Sequence, residues 1–393
     1  MVQYGVLNVK MQLSTAASRL QGQPMFKMLD KIKELSKSGH KFAHFEIGDP
    51  NFDTPEPIKK AAIDAINSGD NHYVSSAGIH DLKAELAKFY SEYFCSDFSY
   101  DNVVIAPGCN PLIFSLIHCC VNEDENVIIT VPCFSSYTSA LDFLGIKHKS
   151  VPLREENRFC VDVEEIKKAV DSKTKMIIIN SPNNPTGSVM DASEIESIVQ
   201  FAHKKGVFVL SDEIYSLLCF TPVMYSASEL LKNYNNVIVI SGFSKPFAMS
   251  GWRIGYMIAD KKLSEKISLY LQTTVSCTNS FVQSACITAL SCMENVHSMK
   301  HEYMKRRNFI VERLNSIKGI KCQLPMGAFY AFANVSGTGM DGEKFCELML
   351  SHRVALLPGT SFGSFAKDHV RFCYTRPIEE ITEGLNRVER GLR

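Results

Sequence analysis

Met176-Ile-Ile-Ile-Asn-Ser-Pro-Asn-Asn-Pro-Thr-Gly187 is a short apolar run that ends on a cluster of turn-forming residues. The pattern recurs along the chain. Val207–Ser211 runs into Asp212-Glu-Ile-Tyr215, Val237–Ser241 into Gly242-Phe-Ser-Lys245, and Val103–Ala106 into Pro107-Gly-Cys-Asn110. Val127–Val131 and Ile254–Ala259 complete a set of strand candidates. All are apolar on both faces, as buried parallel strands must be. Helical stretches lie between them. Ala192–Lys205 is the clearest, with Asp191 as N-cap, Glu194 three residues on and Gly206 after a basic last turn. Strand alternating with helix predicts an α/β fold, a mostly parallel sheet covered by helices on both faces.

Outside that centre the pattern changes. Residues 1–50 carry one helix near Met25–Ser38 and a strand near Phe42–Ile47. An amphipathic helix from about Val296 to Ile317 includes Lys305, Arg306 and Arg307, and shorter strands and helices follow. The expected division is a large domain over 51–295 and a smaller α+β domain over 296–393, joined by part of the N-terminal arm, 1–50. A chain of 393 residues suits more than one core.

Composition narrows the function classes. Apolar residues make up 45% and charged residues 21%, as in a globular protein rather than a disordered or fibrous one. Lys plus Arg equals Asp plus Glu, 42 each, so no global field draws in nucleic acid or an anionic membrane. The 13 cysteines are scattered without a C-x-x-C pair, which suggests neither a zinc site nor a disulfide framework. A reducing cytoplasm fits them best. No apolar run is long enough to span a bilayer. Met1–Lys10 lacks a charged segment followed by an apolar core, so no signal peptide is expected.

In open parallel sheets, ligands bind beyond the carboxyl ends of the strands. Here four strand ends deliver an amide, a carboxylate with a phenol, an amine and a helix N-terminus. The helix start at Gly108–Asn110 suits a phosphate, because its N–H groups are free and its dipole end is positive. Lys245 can form an imine with an aldehyde and then act as a base once burial or nearby cations lower its pKa. Asp212 can pair with a protonated ring nitrogen. Tyr215 and Asn184 can hydrogen-bond a phenolate oxygen, and Arg253 can add charge at a phosphate. Singly, each has an ordinary reading: a cap, a solvated side chain, a turn. Their joint occurrence at successive strand ends is what those readings leave unexplained.

These residues resemble the class I/II aminotransferases, the fold-type I enzymes that use pyridoxal 5'-phosphate (PLP). Gly48-Asp-Pro-Asn-Phe-Asp-Thr-Pro55 is similar to the family's G-[ED]-P-x-F-x-x-P, and Ser181–Gly187 to its S-P-x-N-P-T-G. Ser211–Tyr215 resembles its D-E-x-Y. Ser244-Lys245 followed by Gly251-Trp-Arg-Ile-Gly-Tyr256 resembles its S-K and G-x-R-x-G, and these last two are highly specific together. The resemblance spans nearly the whole chain and implies a mostly parallel seven-stranded sheet.

It also implies roles. Lys245 is the Schiff-base lysine and Asp212 the partner of the pyridine nitrogen, with Tyr215 and Asn184 at the cofactor's O3′. Phe134 stacks on the ring, although a core Phe would look the same. Gly108, Cys109, Asn110, Ser244 and Arg253 form the phosphate cradle. Tyr73 matches a tyrosine that reaches the phosphate in a neighbouring subunit, which implies a homodimer with shared active sites. Arg371, in His369-Val-Arg-Phe-Cys-Tyr374, is placed to grip the substrate α-carboxylate, with Gly48 leaving room beside it and Asn184 nearby. Gly242 departs from the family pattern, since many relatives have a hydroxyl there, and Gly-Cys-Asn-Pro is unusual at the cradle.

The implied reaction is transfer of an amino group between an amino acid and a 2-oxo acid. Decarboxylation of an amino acid or phosphoamino acid on the same fold is the alternative, since it differs only in which Cα bond stands perpendicular to the ring. A C–S lyase or racemase would differ in the same way. A non-catalytic DNA-binding regulator would need an added domain, and only the residues ahead of Gly48 precede the matched segment. No substrate is legible, because neither the region of Met25 and Phe26 nor Thr273–Phe281 shows an added cation for an acidic side chain.

Overall fold

The computed structural model describes residues 11–37, 39–221 and 225–393. Met1–Lys10, read above for a leader, and Ser38, the expected end of the first helix, lie outside the described residues. The strands, in chain order, are β1 (Ala43–His44), β2 (Val103–Ala106), β3 (Asn126–Val131), β4 (Lys147–Pro152), β5 (Thr174–Asn180), β6 (Phe208–Asp212), β7 (Val237–Gly242), β8 (Gly255–Ala259), β9 (Lys321–Cys322), β10 (Tyr330–Asn334), β11 (Val354–Ala355), β12 (Leu357–Pro358) and β13 (His369–Cys373).

The central sheet has seven strands in the order β2-β8-β7-β6-β5-β3-β4. Side chains alternate cleanly across it. Ile177 and Ile179 of β5 enter one apolar core, while Met176 and Ile178 enter the other. Each fully buried Ile contributes roughly 1.5–3 kcal/mol, and a one-residue slip would reverse every such assignment, so the register is strongly fixed.

Two features differ from the sequence reading. β8 runs antiparallel to both its neighbours, β2 and β7. Apolarity on both faces reports two-sided burial and carries no strand direction. The seventh strand, β4, was not among the strand candidates. It pairs only with β3, and its sequence Lys-His-Lys-Ser-Val-Pro is polar because an edge strand is half solvated.

The reversal of β8 matters for the site. β2, β5, β6 and β7 all end at one edge of the sheet, whereas β8 begins there. Arg253, just ahead of β8, therefore lands beside the helix start that follows β2. Gly255 pairs with Ala106 on one side and Gly242 on the other. A Cβ on Gly255 would lie 3.0 Å from Gly108 C and 3.1 Å from Cys109 N, so a side chain here would push the helix start away.

The helix Ala192–Lys204 starts with the expected capping box between Asp191 and Glu194. The helix Pro24–Ser36 stands near its expected place, but the strand expected after it shrinks to β1, which pairs with β11. The long helix runs over Met293–Ser316, three residues earlier at its start than expected. It packs with the antiparallel sheet β12-β13-β10-β9 and the last helix, Ile378–Gly391, around a separate apolar core that includes Tyr303, Phe345, Phe372 and Leu385. In β13, Arg371 lies opposite Phe332 of β10 and Leu357 of β12.

Candidate active site

The strand ends open onto a cavity of about 420 Å³. Lys245, Asp212, Tyr215, Asn184, Gly48, Arg371, Cys109, Asn110, Phe134, Ser244 and Arg253 all line it. Residues from 48 to 371 thus line one cavity. Gly108 adjoins it as N-cap of the helix Cys109–Cys120. Tyr73 does not: it lies on the surface, 88% exposed, away from its own chain's cavity.

Lys245 reaches across from the end of β7, and its amine donates to the Gly48 carbonyl at 2.6 Å. Burial lowers its pKa, opposed by the nearby Asp49 carboxylate. A lysine held this way is closer to the neutral, nucleophilic amine than a surface lysine is. Asp212, at the end of β6, is 3% exposed. Burial pushes its pKa up to about 6, while hydrogen bonds from the Tyr137 hydroxyl at 2.6 Å and the Ile214 amide at 3.2 Å work against that rise. It is a carboxylate suited to a cationic partner.

Asn180 fixes the turn that presents Asn184. Its side-chain oxygen accepts from the Asn184 amide at 2.9 Å, and its Nδ2 donates to the Asp212 carbonyl at 2.9 Å. The Asn184 oxygen accepts from Arg371 Nη1 at 2.9 Å, so what Asn184 offers a ligand is its amide nitrogen. Tyr215 shares a 2.7 Å hydrogen bond with the Tyr330 hydroxyl, and burial raises its phenol pKa well above the usual value.

Arg371 is 2% exposed. Its Nη2 donates to the Glu46 carbonyl, and its guanidinium lies 4.5 Å from the Tyr330 ring centroid and 4.8 Å from that of Phe362. Its Nε is buried without a partner. A buried guanidinium donor left over beside a cavity suits an anionic ligand. Gly48 leaves space there, since a Cβ would collide with the Tyr330 hydroxyl.

The helix start after β2 meets the Arg253 side chain. Gly108 has φ +98°, and a Cβ there would stand 2.5 Å from Arg253 Nη2. Glycine thus brings the helix N-terminus and the guanidinium together, a positive cradle. The Cys109 thiol donates to the Ser241 carbonyl at 3.2 Å, and burial raises its pKa, so it is held as the neutral thiol. Gly242, where relatives often carry a hydroxyl, faces Gly255; a Cβ on it would lie 3.0 Å from Gly255 Cα.

The comparisons give the family. The family model described as Aminotransferase class I and II matches residues 41–388. An aspartate aminotransferase of Pyrococcus horikoshii is 37% identical over 92% of this chain and 94% of its own. The chain belongs to the class I and II aminotransferases. An aromatic-amino-acid aminotransferase of Thermococcus litoralis is 35% identical over 92% of this chain and 95% of its own. Among solved structures, the aspartate aminotransferase of Thermus thermophilus with maleate superposes with TM-score 0.93 at 28% identity, covering 97% of this chain and all of the other. The fold is that of the fold-type I aminotransferases. Relatives named as aminotransferases do not favour the decarboxylase alternative.

Within this aminotransferase, sequence reasoning missed Tyr137, Asn180 and Tyr330. Tyr137 contacts Asp212 and Tyr330 contacts Tyr215 across the fold, while Asn180 bonds Asn184 four residues on and the Asp212 carbonyl on the next strand. Asn180 alone carried a signal, as a polar residue closing an apolar strand. Glu213, beside Asp212, faces elsewhere: its carboxylate accepts from Ser211, Ser226 and the Ala227 amide, and burial pushes its pKa up to about 7.

Proposed function

We propose that this aminotransferase holds PLP on Lys245 and uses that lysine to move the proton at the substrate Cα. The group fits the residues present. A buried amine of lowered pKa, a buried carboxylate, a glycine-built anion cradle and an orphaned guanidinium donor stand around one cavity. PLP, when bound, supplies an aldehyde for the amine and an electron-withdrawing ring.

The residues divide the work. Asp212 would pair with the ring nitrogen and favour its protonated form, with Tyr137 holding the carboxylate in place. Tyr215 and the Asn184 amide would hydrogen-bond the ring oxygen, and Phe134 would cover the ring. Gly108, Cys109, Asn110, Ser244 and Arg253 would hold the phosphate. Gly48 and Arg371 seat the α-carboxylate, which fixes the Cα–H bond toward Lys245. Lys245 would serve as the base that takes the Cα proton and, as its conjugate acid, gives it back.

The single observation that carries this reading is the Lys245 amine inside the cavity with Asp212 and Arg371 on its walls. The test is turnover. Wild type should transfer amino groups from a donor amino acid to 2-oxoglutarate or pyruvate over many cycles, and Lys245→Ala should not. Multiple turnover by the alanine variant would sink the assignment.

The homodimer reading rests on Tyr73, whose exposed ring would reach the phosphate of a second copy. The large domain spans 51–295, and 296–393 together with part of the N-terminal arm forms the smaller one. The free thiols at all thirteen cysteines suit a reducing compartment, the cytoplasm.

A further inference from the structure

Arg306 looks on paper like one of three basic residues on a solvated helix. It is instead 5% exposed, and it bridges two segments far apart in sequence. Its Nη1 donates to Asn51 Oδ1 at 2.7 Å and also to the Thr375 carbonyl. Its Nε donates to Glu302 Oε1 at 3.1 Å, one turn back on the same helix. The guanidinium sits 5.1 Å from the Phe52 ring centroid and 5.7 Å from that of Tyr303, and those two rings meet edge-on at 5.4 Å.

Asn51 and Phe52 belong to the segment that begins at Gly48. Thr375 follows β13, which carries Arg371. The two segments already touch nearer the cavity: Arg371 Nη2 donates to the Glu46 carbonyl, and the Cys373 amide to the Phe45 carbonyl at 2.9 Å. Arg306 ties the same two segments together a second time, through Asn51 and Thr375, from a helix that belongs to neither. A buried arginine with three acceptors and two ring faces is an expensive device for ordinary packing, since truncating it takes this donor from the Thr375 carbonyl.

We propose that Arg306 is a positioning residue for the substrate carboxylate, holding the Gly48 segment and the Arg371 strand in the register that makes the seat. This rests on the reading of Gly48 and Arg371 given above. A shift of about 1 Å at a positioning contact can cost on the order of a hundredfold in rate or affinity. A carboxylate seat is occupied in ground and transition states alike, so its loss is expected mainly in KM.

The test uses the holoenzyme in four forms: Arg306→Gln, Arg306→Lys, Arg371→Lys and the Arg306→Gln/Arg371→Lys double variant. Thermal melting and the cofactor absorbance band are recorded alongside kinetics. Arg306→Gln should raise KM for the amino donor on the order of tenfold with kcat within about threefold, at unchanged cofactor content. Arg306→Lys, which keeps the charge and one bond, should fall between it and wild type. It also keeps the question answerable if the glutamine variant does not fold. In the double variant the two KM penalties should combine to less than their product, because both act on one seat.

An unchanged KM in both Arg306 variants, while Arg371→Lys raises it, overturns the inference and leaves the site reading intact. Fully multiplicative penalties overturn it too, as does a loss of cofactor content and kcat together at constant KM, the mark of a merely structural strut. An Arg371→Lys variant with wild-type KM removes the site reading, and the role of Arg306 with it.

Discussion

Replacing Tyr137 with Phe removes one oxygen from a buried site and leaves the ring in place. Tyr137 is 2% exposed and Asp212 3%, and their hydrogen bond is 2.6 Å long. A hydrogen bond to a charged group is worth roughly 1.5–3 kcal/mol and one to a neutral group roughly 0.5–1.5. The Tyr137 bond should therefore matter more when Asp212 is ionised, by about 1–2 kcal/mol. The pKa of Asp212 is about 6 in the fold, raised by burial, so the carboxyl's contribution to stability is greatest at low pH and is lost as pH rises through 6. Tyr137 limits that loss by stabilising the carboxylate. Denaturant unfolding of the cofactor-free protein at about pH 5 and about pH 8 separates the two states. The gap between wild type and Tyr137→Phe should be about 1–2 kcal/mol larger at the higher pH. Equal gaps at both values would refute the reasoning, because the hydroxyl would then be supporting packing rather than the charge.

Arg371→Lys keeps a cation but loses the planar fork, and kcat/KM for amino acid donors should drop roughly ten- to a hundredfold. Steady-state kinetics that stay within a factor of two would remove Arg371 from the seat. Gly108→Ala places a Cβ at φ +98°, 2.5 Å from Arg253 Nη2. PLP titration followed by absorbance should show affinity weakened on the order of tenfold, with a lower melting temperature. Unchanged affinity would mean the cradle tolerates a displaced arginine.

How much of this was legible depended on how local the signal was. The strand-end residues were found because each follows an apolar run and is punctuated by Gly, Pro or Asn. Lys245, Asp212 and Asn184 then needed only the rule about strand ends to be grouped, and the fold came with them. Tyr137 was not legible, because it sits inside a helix and its partner lies 75 residues further on. Tyr330 likewise reads as one more apolar-facing strand residue until β10 is folded against Tyr215. Arg306 was placed on its helix with Lys305 and Arg307, but nothing local marks it as buried, because its partners Asn51, Phe52 and Thr375 come from distant parts of the chain. The direction of β8 was hidden for a different reason. Its composition reports burial, whereas direction is set by chain connection, and that reversal is what carries Arg253 to the helix start at Gly108.

The central claim is that Lys245 carries the cofactor covalently, and borohydride reduction tests it most directly. The PLP-loaded protein is reduced, digested and mapped by mass spectrometry. A pyridoxyl-phosphate adduct is expected on the peptide containing Lys245, and none in Lys245→Ala. A stable adduct on another lysine, or equal labelling in the alanine variant, would contradict it.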